Sequence, residues 1–188
     1  MQGNFGACLA FTTGPSAFSP LGEEGGWADN PDDPGHATMR GLTLTTYRGW
    51  AAQVGLPEPS ADDLRMINSG RLAVVLRQVI WQPAGCDALP TGVDLMVFDF
   101  SMTSAPRRSV EMLQARVGVL PDGIVGPITL DAIAAVSPLH LISNLADAQA
   151  AYYRSLPDFP EFGADWLART ERRRYAAVAM LQPAEPVS

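Results

Sequence analysis

The alternation of apolar and polar positions along the chain predicts a mostly helical protein. From Arg71 to Trp81 the residues Leu72, Val75, Leu76, Val79 and Ile80 recur at helical spacing, which marks one buried face, and Pro83-Ala84-Gly85 stops the run. Phe5, Leu9 and Ala10 give a short first helix over residues 4–11. Thr43 is placed to cap a helix carrying Tyr47, Trp50, Ala51 and Val54, closed by Gly55 and Pro57. Ser60-Ala61-Asp62-Asp63 opens another, with an acid three residues after the serine as in a capping box. Residues 91–102 hold Val93, Leu95, Met96, Val97, Phe98 and Phe100, and periodicity alone does not separate helix from buried strand there. Beyond Pro106 the helical pattern returns at 107–118, 127–136, 139–156 and 163–181, around a tight turn at Leu120-Pro121-Asp122-Gly123. No Gly/Ser linker divides the chain, so its C-terminal part is expected to pack on the rest, and the tail from Pro183 is expected to fray.

One stretch breaks the helical pattern. Residues 23–43 carry five carboxylates, four glycines and two prolines between helical segments. Ordinary connections are shorter and less acidic, and a loop this rich in special-backbone residues holds side chains in fixed positions for work. Glu24 directly precedes Gly25-Gly26, and a glycine just past a helix end is the usual left-handed cap. At a helix C-terminus the backbone dipole disfavours negative charge, and Trp27 would add desolvation, so both raise the expected pKa of Glu24. A carboxyl kept protonated near neutral pH is what cleavage of a glycosidic bond needs at the leaving oxygen. Asp33 and Thr38 follow in the same loop, where a carboxylate and a hydroxyl could hold a water opposite the acid. The competing reading of the same residues is a solvated acidic surface loop.

Written as E-G-G-W-x-x-x-P-x-D-P-G-x-x-T-x-x-G-L-T, the stretch Glu24–Thr43 resembles the signature of glycoside hydrolase family 108, the lysozyme-like N-acetylmuramidases found largely as phage endolysins. Further matches follow in order: Trp81 through Ala84-Gly85-Cys86-Asp87-Ala88-Leu89-Pro90, then Val97-Phe98-Asp99-Phe100. Leu113-Gln114 with Asp122-Gly123-Ile124-Val125-Gly126-Pro127-Ile128-Thr129-Leu130 is similar to the small helical peptidoglycan-binding module that accompanies this family. The resemblance implies a mainly α, α+β lysozyme-like fold: a catalytic domain over 1–105 with a small loop or β-hairpin excursion at 25–43, a peptidoglycan-binding helical region over 106–182, and a tail at 183–188. It also implies that residues 91–102 form a central buried helix. Carried over residue by residue, Glu24 corresponds to the general acid, and Asp33 with Thr38 would position the water. Trp27, Tyr47, Thr43 and Thr103 make up the implied substrate-binding set, the aromatic rings suiting the apolar faces of sugars. The sequence departs from the family where Met39 replaces a frequent Asn, His36 a usual Gly, and Thr103-Ser104-Ala105 a usual Asn-Ser-Gly. Thr12–Gly22, with two prolines, interrupts what is one helix in relatives, and Ser19-Pro20 could start a fresh turn carrying Glu24.

Composition narrows the function classes. A hydrophobic fraction of 47% with 18% charged residues describes a globular chain. The net charge is −7, and all thirteen cations are Arg, so no basic stripe suits nucleic acid. With two histidines, His36 and His140, and no HExxH or paired Cys-x-x-Cys, no metal set is expected, and no cofactor is implied. Neither a G-x-S-x-G elbow nor a Gly-Lys-Ser/Thr phosphate loop occurs. Cys8 and Cys86 are expected as two buried thiols. Trp50 is expected in the core, and Asp99, inside an apolar run, in a hydrogen-bonded structural role. Arg169, Arg172, Arg173 and Arg174 are expected on a solvated helix face. No secretory signal or membrane-length apolar run is read, so the expected course is a host cytoplasm before release, through a holin-type pore or on a particle, and action at the cell wall. The functional expectation is a muramidase whose partner is bacterial peptidoglycan; the alternative is a wall-binding or particle protein that keeps the fold without turnover.

Overall fold

The computed structural model describes residues 4–14, 25–29 and 37–182. These form two compact units, one of Phe5–Pro83 and one of Asn4 with the residues from Ala84 onward.

In the first unit, helix α1 (Phe5–Thr13) precedes a three-stranded antiparallel sheet of β1 (Trp27–Ala28), β2 (Thr38–Met39) and β3 (Leu42–Thr43). Trp27 pairs with Met39, Ala28 with Thr38, and Thr38 with Thr43. Strands β2 and β3 are joined by Arg40 (φ 49) and Gly41 (φ 77). Positive φ at both central residues is the primed hairpin turn whose twist matches that of the strands. Thr43 then caps α2 (Leu44–Gln53), its Oγ1 accepting the Thr46 N–H at 3.1 Å. The Ser60–Asp63 capping box opens α3 (Ala61–Arg65), and Asn68 caps α4 (Ser69–Leu76). The apolar face runs through Leu72, Val75 and Leu76, but it does not continue to Ile80 as the periodicity predicts. Residues Arg77–Trp81 form a π-turn, closed by the Gln82 N–H on the Arg77 carbonyl at 2.9 Å. The extra residue rotates the face, so Val79 and Ile80 are half-buried while Trp81 is fully buried, with Phe5 edge-on to it at 5.2 Å.

The second unit is built around α5 (Val93–Ser104), in which every residue from Val93 to Ser101 is buried. A helix buried on all its faces belongs inside a bundle, and its polar residues Asp94, Asp99 and Ser101 need partners there. Helices α6 (Pro106–Val117), α8 (Pro138–Arg154) and α9 (Phe159–Ala179) pack on it, and α7 (Pro127–Ala134) packs on α6. Helix α9 starts four residues before the patterned segment because Pro160 is tolerated in its first turn.

The expectation of a solvated arginine face on α9 is corrected by the structure. Arg169 and Arg173 are buried and converge on Asp99, which is fully buried on α5. Arg169 Nη2 lies 2.8 Å from Asp99 Oδ1, and Arg173 Nε lies 2.6 Å from Oδ2. Arg173 also donates to Gln149 Oε1, and Gln149 Nε2 donates to the Met96 carbonyl at 3.0 Å. Arg172 and Arg174 are half-buried, Arg174 pairing with Glu171 along the helix. A buried carboxylate needs such partners, so Asp99 recruits the two arginines that share its side of α9. Cys8 and Cys86 are both buried thiols. Among the described residues no single helix is long and apolar enough to cross a membrane.

Candidate active site

Glu24, Asp33 and His36, and the prolines of the interrupting segment, lie outside the described residues. Gly25, directly after Glu24, has φ 68, the left-handed conformation expected of a glycine that ends a helical turn. Gly26 accepts the Arg40 N–H through its carbonyl at 3.3 Å, which ties the start of β1 to the hairpin turn. Thr38 is half-buried on the central strand, opposite Ala28 on one side and Thr43 on the other. The Thr43 hydroxyl is engaged by its cap, accepting from the Thr46 N–H and donating to Thr46 Oγ1 at 2.9 Å.

Trp27 is half-buried, with the Arg65 guanidinium 5.8 Å from its ring centroid. Tyr47 and Trp50 stack at 5.9 Å and are 9% and 4% exposed. Trp50 is core: its indole N–H donates to Gln78 Oε1 at 2.6 Å, and Arg71 lies over its ring at 5.5 Å. Tyr47 borders a pocket of about 200 Å³ shared with Pro57, Pro59 and Arg71. Thr103 is exposed on α5 in the second unit; its hydroxyl lies 2.9 Å from the Tyr153 hydroxyl and donates to the Phe100 carbonyl at 3.2 Å.

A wider pocket of about 360 Å³ lies beside the hairpin turn, and sequence reasoning missed it. Leu9, Ala10 and Thr13 of α1 form one wall, and Ser69 and Leu72 of α4 another, with Arg40 between them. Arg40 Nη1 reaches Ser69 Oγ at 3.4 Å. The available signal was the Arg40-Gly41 pair itself, since an arginine stands where hairpins of this type favour Asn or Asp.

In the second unit Gln114 organises the motif that resembles the wall-binding module. Its Nε2 donates to Asp122 Oδ1 at 2.7 Å, to the Ile124 carbonyl at 3.0 Å and to Thr129 Oγ1 at 3.0 Å, and its Oε1 accepts the Gly123 N–H at 2.9 Å. Donation from Gln114 and from the Ile124 N–H holds the Asp122 carboxyl below the usual carboxylate range. The turn so fixed presents Leu120, Ile124 and Ile128 to solvent. Burial pushes the Asp94 carboxyl up, opposed by a 2.9 Å bond from the Asn4 amide, and burial pushes the Cys86 thiol well up. Among the described residues no group of three or more His, Cys, Asp or Glu side chains could hold a metal ion.

The sequence profile described as "Glycosyl hydrolase 108" matches residues 20–104, and that described as "Predicted Peptidoglycan domain" matches residues 108–177. No curated protein matches the chain. Among solved structures, SagA of Brucella abortus is similar at 32% identity and a TM-score of 0.81, over 96% of this chain and 97% of that one. The first match contains the Glu24–Thr43 signature and the second the Gln114 turn, and both agree with the helical fold and its small sheet, so the chain belongs to glycosyl hydrolase family 108, a peptidoglycan hydrolase family, with a peptidoglycan domain in its C-terminal part.

Proposed function

We propose that the protein is an N-acetylmuramidase that cleaves the β-1,4 bond between N-acetylmuramic acid and N-acetylglucosamine. Glu24 donates a proton to the leaving oxygen, and Asp33 with Thr38 orients the attacking water. Trp27, Tyr47 and Thr43 of the first unit contact the glycan, and the Gln114 turn of the second engages the wall. The observation that carries this reading is the register of the sheet. Thr38 is paired into the same sheet as the strand that begins three residues after Glu24, so the hydroxyl is held by backbone rather than by a free loop. A general acid contributes about 10²- to 10⁴-fold to such a reaction. Glu24→Gln is therefore expected to lower release of reducing ends from purified peptidoglycan by at least about 10²-fold. Mass spectrometry of the wild-type products is expected to find N-acetylmuramic acid at the new reducing ends. Equal rates for the two proteins remove Glu24 as the acid. No release by either, with wall pull-down retained, supports a binding protein that keeps the fold without turnover. Action at the wall, after release from a host cytoplasm, belongs to the same proposal.

A further inference from the structure

We infer that Arg40 is a carboxylate-recognition residue, and that the pocket between the β2–β3 turn, α1 and α4 takes an anionic group of the wall polymer bearing a methyl beside its carboxylate. The identity of the polymer rests on the proposed function; the recognition chemistry rests on the pocket.

Three observations converge. Among the described residues the pocket joins an apolar wall, Leu9, Ala10 and Leu72, to one cation, Arg40, and the Ser69 hydroxyl. A methyl fits against the first and a carboxylate against the second. The guanidinium has five donors, and among the described residues its hydrogen bond is the long one to Ser69, with no carboxylate pairing it in a chain of net charge −7. Arg40 also occupies a left-handed position (φ 49) that Asn or Gly adopts with less strain, so turn geometry does not account for an arginine there. Strain of this kind persists where a side chain has a task. The location suits the substrate: Arg40 is two residues from Thr38, and its N–H is bound by Gly26, two residues from Glu24.

In peptidoglycan this chemistry has two sources, the lactyl ether of the muramic sugar once its stem is removed and the alanines of the peptide stems. The test compares intact wall, the same wall with its carboxylates amidated, and stem-free glycan with free lactyl carboxylates. Wild type, Arg40→Asn, Arg40→Lys and the charge control Arg154→Asn are assayed for co-sedimentation and for release of reducing ends. Wild type is expected to bind carboxylate-bearing wall about tenfold more tightly than amidated wall, the size of one charge-assisted bond. Non-specific attraction does not produce that sign, since an acidic protein is repelled by an acidic wall. Arg40→Asn is expected to bring the ratio near one while unfolding at or above the wild-type temperature; Arg40→Lys keeps part of it and Arg154→Asn all of it. A preference seen with intact wall alone assigns the stems, and one seen with stem-free glycan assigns the lactyl group. An unchanged ratio in Arg40→Asn, or an equal fall in Arg154→Asn, overturns the inference. Arg40-dependent binding without any release leaves the inference standing and sinks the hydrolase reading; release with Arg40-independent binding does the reverse.

Discussion

Asp99 shows why charge patterning misleads when its partner is distant in sequence. Four arginines within six residues of α9 look like a solvated stripe, yet two of them answer a carboxylate about seventy positions earlier. The apolar run around Asp99 indicated burial and hence hydrogen bonding, but nothing local named the partners. Arg173 Nη2 has no hydrogen-bond partner among the described residues, and the Phe100 ring, 5.8 Å from the guanidinium carbon, offers it a π-face. Asp99 pairs with two buried cations, so removing its charge leaves theirs less well compensated, and Asp99→Asn is expected to lower stability by about 3–5 kcal/mol in urea titration. Asp94 gives a pH dependence of the opposite sense to an ordinary ion-paired acid. Its folded pKa is raised by burial, so its contribution is fully present below the unfolded value of about 3.9 and is lost as pH rises through the folded one. Asp94→Asn cannot ionise and is expected to gain on wild type in melting temperature as pH climbs above about 4; a difference that stays constant contradicts this. Arg40 was overlooked for a different reason: the Arg40-Gly41 pair hinted at an unusual turn, but the wall beside it is formed by helices distant in sequence.

Helix starts were the most legible elements, because a cap is a local contract between a side chain and the next turn. Thr43 and Ser60 were read from spacing alone, and both accept the N–H that the spacing assigns them. The helical state of Val93–Ser104 came only from family resemblance, since a segment buried on all sides has no periodicity to show. The π-turn at Arg77–Trp81 left no sequence mark, as nothing in the apolar pattern announces one extra residue in a turn. At the α5–α6 junction Ala105 has φ 73 and ψ 149. Pro106 demands the extended ψ, and a positive φ with such a ψ is essentially glycine territory. Relatives by resemblance carry Asn-Ser-Gly where this chain has Thr103-Ser104-Ala105. Ala105→Gly is therefore expected to stabilise by about 1 kcal/mol, the relief of strain exceeding the added chain entropy. Calorimetry showing a lower melting temperature would contradict it.

The family profile and the packing divide the chain at different places. The glycosyl hydrolase match runs to residue 104, while compactness separates Pro83 from Ala84. The difference is α5, which falls within the catalytic match but packs on α6, α8 and α9. Motif spacing follows descent, whereas compactness follows burial, so a sequence reading organised by motifs reports the first boundary. The helical remainder was legible in the apolar pattern, whereas the family resemblance left residues 25–43 as a loop or a β-hairpin, and the structure puts Trp27 and Thr38 there on adjacent strands of one sheet. The two sequestered cysteines carry a practical consequence. Cys8 belongs to one compact unit and Cys86 to the other, and neither meets solvent in the folded state. Each sulfur is thus a built-in clock for its own half of the chain: a chromogenic disulfide reagent can modify it only during an opening event. Two resolved labelling rates would time the breathing of the halves separately in unmodified protein, and a single shared rate would reveal that they open together.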